Sequence, residues 1–87
     1  MTITDVKIRR MINEGKLRAI VSVTFDNELV VHDIKVIAGQ DRMFLAMPAR
    51  QLINGRFADI VHPTEHTLRD RIEAAVLAEY RAQASLF

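Results

Sequence analysis

From Leu17 to Phe25 every second residue is apolar: Leu17, Ala19, Val21, Val23 and Phe25, with Arg18, Ser22 and Thr24 between them. A period of two over nine residues puts the apolar set on one face of an extended strand and cannot make an amphipathic helix, whose faces repeat every 3.6 residues. The chain must therefore build a sheet around this segment and cover one of its faces. Upstream, Val6, Ile8 and Ile12 share a parity with Arg10 intruding, while Asp5, Lys7 and Arg9 take the other, so residues 2–12 read as a half-buried strand. Asn13-Glu14-Gly15-Lys16 joins the two as an antiparallel hairpin. Asp26-Asn27 is the next turn. In the third strand, 29–37, Val30, Ile34 and Val36 share a side with His32; Leu29, Val31 and Ile37 share the other with Asp33 and Lys35. Apolar residues on both sides mark a central strand, or one whose second face a partner covers.

Gly39-Gln40-Asp41-Arg42 turns the chain into a fourth strand at 43–47. Pro48 ends that strand because it has no N–H to give to a ladder. Asn54-Gly55 signals a two-residue hairpin turn between 50–53 and 56–61, a small β-arm leaving the sheet. Past Pro63 the period changes. Leu68, Ile72, Ala75, Val76 and Tyr80 recur at helical spacing, and Thr67 with Asp70 has the spacing of a capping box. Glu65–Arg69 and Arg69–Glu73 are spaced for ion pairs on one helix of about residues 65–83. The expected fold is α+β: an antiparallel sheet of four to six strands, a protruding β-arm and one C-terminal amphipathic helix, all in a single domain of residues 1–87.

Composition narrows the function. The absence of cysteine excludes disulfides and thiolate metal sites. No apolar segment approaches the length of a membrane span, and the cytoplasm is the default compartment. Hydrophobic residues make up 49% of the chain, high for a small monomer, so part of the apolar surface is expected in a subunit interface. His32 and His62 read as buried or structurally hydrogen-bonded. His62 and His66 straddle Pro63 and lose the register of a metal pair. Ser22 has no visible partner along the strand. No catalytic residue, metal site or cofactor is expected, and the chain does not read as an enzyme. Net charge is only +1, but residues 1–20 hold Lys7, Arg9, Arg10, Lys16 and Arg18 against Asp5 and Glu14. That group reads first as a charged sheet face and second as a phosphate-binding surface. The loop of 48–62 adds Arg50 and Arg56 against Asp59.

Five segments also resemble, in order and spacing, the motifs of the SpoVG (stage V sporulation protein G) family. They are Asp5-Val6-Lys7-Ile8-Arg9, Ala19–Asp26, Val31-His32-Asp33-Ile34-Lys35-Val36-Ile37, Phe44-Leu45-Ala46-Met47-Pro48 and Asp59-Ile60-Val61-His62-Pro63. The resemblance implies a homodimer joined through β-strands that binds DNA and RNA as a regulator linked to septation and sporulation. It also implies that basic residues just after Met-Pro carry the binding. Arg50 matches the first such position, Gln51 stands where a second basic residue is usual, and Ala58 stands where the family has Arg. Arg56 occupies a commonly acidic position and restores charge. The expected nucleic-acid-binding residues are thus Arg50, Gln51, Asn54 and Arg56. The alternative class is a protein-interaction module that engages a division or regulatory protein without strong nucleic-acid binding.

Overall fold

The computed structural model describes residues 1–86. Four strands, β1 (Ile3–Met11), β2 (Leu17–Phe25), β3 (Leu29–Ala38) and β4 (Met43–Ala46), form an antiparallel sheet in the order β1-β2-β3-β4. A separate two-stranded sheet, β5 (Ala49–Gln51) with β6 (Phe57–Asp59), is the arm, and α1 (His66–Ala84) closes the chain. The expected α+β class, a sheet of four to six strands, the arm and the terminal helix are all present, the sheet having four strands. No helix among the described residues is long and apolar enough to cross a membrane.

α1 lays Ile72, Val76 and Leu77 on one face of the sheet, against Ala19, Val21, Val23, Phe25, Val31, Ile34, Val36 and Leu45. β2 therefore buries Ala19, Val21, Val23 and Phe25 of the alternating set, while Leu17, set off by a register shift between Leu17 and Ala19, is half-buried outside the core. β3 is an inner strand, as its two-sided apolar pattern requires. At the β2–β3 turn, Asp26 and Asn27 both have positive φ (53° and 55°), and Glu28 N–H donates to the Phe25 carbonyl at 2.9 Å. This is the left-handed two-residue turn that matches the twist of a hairpin, and Asp and Asn are the side chains that tolerate it best after glycine. At the β3–β4 turn, Gly39 is required by space: a Cβ there would stand 2.8 Å from the Arg42 carbonyl oxygen.

Strict alternation fails at the start of β2 and in β1 and β3, where the ladders contain β-bulges. In β3, Val21 pairs with Ile34 but Val23 pairs with Val31, so β3 carries an extra residue at His32-Asp33. Asp33 sits at φ 63°. The bulge reverses the parity, and Val31 joins Ile34 and Val36 in the core while Val30 faces solvent, the opposite of the simple alternating assignment. In β1 the pairs Ile8–Val21 and Arg10–Ile20 leave Arg9 bulged. That turns Met11, rather than Ile12, toward the core beside Val6 and Ile8, and Arg10 no longer intrudes.

The helix also starts earlier than its capping signal. Glu65 is the N-cap, in extended conformation and without a side-chain cap bond, so Thr67 lies inside the first turn and cannot cap with Asp70. Neither of the anticipated helix ion pairs forms. Glu73 is drawn instead to Arg42 of the β3–β4 turn at 3.1 Å, the one ion pair among the described residues. Exposed i, i+4 pairs gain only a few tenths of a kcal/mol and are readily outcompeted.

The left-handed conformation of Asp33 yields a direct test. Asp33→Val should lower unfolding free energy by about 1–2 kcal/mol in urea titrations, because a β-branched residue is strained at positive φ. Asp33→Gly should stay within about 1 kcal/mol of the parent.

Candidate nucleic-acid interface

Pro48 takes the chain out of the four-stranded sheet, and the arm begins at once. Ala49 pairs with Asp59, Arg50 with Ala58 and Gln51 with Phe57. Ile60 N–H donates to the Pro48 carbonyl at 2.7 Å and closes the base of the arm. At the tip, Leu52 N–H donates to the Arg56 carbonyl at 2.7 Å, and Gly55 N–H donates to the Leu52 carbonyl at 3.0 Å. The loop is thus the three residues Ile53-Asn54-Gly55, rather than the two-residue Asn-Gly turn that the dipeptide suggests. A two-residue turn would need positive φ at both Asn54 and Gly55. Only Gly55 has it, at φ 85°. This is the three-residue loop in which a turn is followed by a left-handed glycine.

Hydrogen bonds separate the four candidate residues into two kinds. The Asn54 Oδ1 accepts from the Arg56 backbone N–H at 3.0 Å, and the Gln51 Nε2 donates to the Gly55 carbonyl at 3.2 Å. Each amide gives one of its two ends to holding the loop. Arg50 and Arg56 are exposed, and neither is in an ion pair among the described residues. The register gives them a common face: Arg50 opposes Ala58, and the next pair outward on that face is Leu52 with Arg56. The other face carries Gln51 opposite Phe57 and Ala49 opposite Asp59.

That second face sets a bare Phe57 beside Gln51 and Asp59, and the segment beyond it is apolar and exposed. Phe57 is 71% exposed, Ile60 66%, and Ile53 at the tip is fully exposed. Beside the base of the arm, Ile60, Val61 and Pro48 face Leu29 and Val30 across an open apolar groove. β4 pairs only with the Lys35–Ala38 half of β3, so among the described residues no strand covers the β4-side edge of Leu29–Ile34. An uncovered apolar strand edge is a template for pairing with another chain. The spacing of Ile53, Phe57 and Ile60 in a polar loop signals this surface in the sequence. The open edge has no such signal, because it depends on how short β4 is.

The SpoVG family model covers residues 1–82. The chain belongs to the SpoVG family. It is 60% identical over 80 residues to a "Putative septation protein SpoVG" of Clostridium acetobutylicum, covering 92% of this chain and 84% of the relative. Proteins of the same name from Thermoanaerobacter pseudethanolicus and Caldicellulosiruptor saccharolyticus are 56% and 53% identical, over 92% and 98% of this chain and 87% and 97% of theirs. The SpoVG resemblance drawn from the five short motifs therefore extends along almost the whole chain.

Ser22, which has no visible partner in the sequence, has two in the fold. Its Oγ accepts from Arg9 Nε–H at 3.1 Å and lies 2.8 Å from His32 Nδ1. The hydroxyl's own proton is then available to a neutral His32 Nδ1. Ser22 is only 3% exposed, beneath those two side chains, so the contact bridges β1, β2 and β3 and offers no nucleophile to a substrate. His32 is exposed but hydrogen-bonded, and exposed His62 lies 3.2 Å from the Pro63 carbonyl through Nδ1.

The loop geometry predicts a local effect of substitution. Gly55→Val strains the left-handed position by about 1–2 kcal/mol, so amide exchange at Leu52 should quicken roughly 5- to 30-fold. The global unfolding midpoint should stay nearly constant, because the arm lies outside the core.

Proposed function

We propose that this SpoVG-family chain is a small dimeric nucleic-acid-binding regulator, consistent with the septation name its relatives carry, and that the arginine face of the arm contacts DNA or RNA. The observation that carries this reading is the pairing of Arg50 and Arg56 on one exposed face with no acidic partner. Arginine offers a rigid fork of donors suited to phosphate and to guanine edges. The bonded amides of Gln51 and Asn54 cast those residues as supports that fix the two arginines, with base contacts falling to the arginines themselves. Two arginines alone make a weak site, and a second copy related by twofold symmetry brings the number to four.

The dimer is proposed to form along the open edge of β3 and the Leu29–Val30–Ile60 groove, with the apolar face of the arm turned toward the partner copy. This arrangement covers the exposed apolar residues and leaves Arg50 and Arg56 outward. The same apolar residues favour the alternative reading, a module that docks onto a division or regulatory protein by strand addition.

Two measurements test the reading. Arg50→Ala with Arg56→Ala should weaken binding to duplex DNA about tenfold near physiological salt, and the salt slope should fall by about 1.8 units per protomer. A folded double variant that binds like the parent would show that the arm is not the contact surface. A parent protein that binds no nucleic acid but retains a protein partner would favour the docking module. For the dimer, Val30→Asp with Ile60→Asp should convert the sedimenting species at micromolar concentration from dimer to folded monomer. A parent that is already monomeric there would end the dimer proposal.

A further inference from the structure

α1 covers one face of the four-stranded sheet, and every charged residue of the four strands is left to the other. Those residues are Lys7, Arg9, Arg10, Arg18 and Lys35, against only Asp5 and Asp33. An excess of three positive charges thus collects on one face of a chain whose total is +1. Lys7, Arg9, Arg10 and Lys35 are exposed and Arg18 is half-buried. None of the five forms an ion pair among the described residues.

The register arranges them. Arg10 pairs with Ile20, Ile20 with Lys35 and Lys35 with Ala46, a single row across all four strands. Arg10 and Lys35 flank Ile20 at two strand spacings, about 10 Å apart. Lys7 opposes Ser22 farther along the same pair of strands. The bulge at Arg9 matters here: by turning Met11 inward, it leaves Arg9 and Arg10 together on the open face. Arg9 is also held in place. Its Nε is used on Ser22, itself backed by His32, which leaves the two terminal nitrogens of the guanidinium for an external acceptor.

We propose that this open sheet face is a second nucleic-acid contact surface, with Arg10 and Lys35 gripping the phosphodiester backbone and Lys7 and Arg9 beside them. The inference rests on the nucleic-acid reading of the arm and extends it. The arm supplies a narrow contact, and the sheet face supplies the charge along which a strand or duplex backbone lies. Contacts of this kind position a nucleic acid without reading its sequence. A row of cations with no ion-pair partners among the described residues is complementary to a polyanion, and Ile20, Ile37 and Phe44 share that face with it.

The test uses the full chain and compares three double variants: Arg10→Gln with Lys35→Gln, Arg50→Ala with Arg56→Ala, and Arg69→Gln with Arg81→Gln. The last removes the same charge from the helix side. Binding to a random-sequence DNA duplex and to an RNA strand of equal length is followed by anisotropy over a salt series, with circular dichroism confirming the fold. The sheet variant should bind roughly tenfold more weakly, with a slope smaller by about 1.4–1.8 units per protomer, and the helix variant should match the parent. Loss in the arm variant with a sheet variant indistinguishable from the helix control would overturn this inference and leave the arm reading standing. Loss in the sheet variant with an unaffected arm variant would uphold it and remove the arm. A parent that binds neither probe at low salt overturns both readings, including the case in which the basic face captures an acidic protein instead.

Discussion

One helix covers one face of four strands, and the rest of the molecule follows from that asymmetry. Ile72, Val76 and Leu77 complete a core whose other wall is the inner face of β2 and β3. A chain of 87 residues has material for only one such pair of layers. The outer face must therefore survive in water or under a partner. It does so by carrying all the charges of the four strands, and by burying the hydroxyl of Ser22 under Arg9 and His32. Chain that cannot be accommodated on either face leaves the sheet at Pro48 as the arm.

The parts of this plan that depend on local periodicity are written plainly in the sequence. β2 keeps one apolar parity from Ala19 to Phe25, and α1 its helical spacing, so both are legible, as are the stop at Pro48 and the turn at Asp26-Asn27. The bulges are not. Where two apolar residues adjoin, as at Met11-Ile12 and Val30-Val31, either can face the core. The choice is made by an extra residue in the ladder, which period-two reading cannot see. Misreading the parity also hides the Ser22 contact, because Arg9 and His32 reach it only from their bulges.

The arm divides in the same way. Its position and its arginines are evident from Met47-Pro48, Arg50, Asn54-Gly55 and Arg56. Its loop length is not, because Asn54 keeps an ordinary φ and only Gly55 turns left-handed. That detail bears on the proposed function: Gln51 and Asn54 each hold the loop through one hydrogen bond, and the two arginines stand together on the face opposite Phe57. The proposed function assigns one side of this arm to a second copy and the arginine side to a polyanion.

The most direct test of this account is amide chemical-shift mapping of the whole chain during titration with a short DNA duplex. The account predicts shifts at Arg50 and Arg56 on the arm and at Lys7, Arg10 and Lys35 on the open sheet face, with α1 unchanged. Shifts confined to α1, or no shifts at any duplex concentration in low salt, would contradict it.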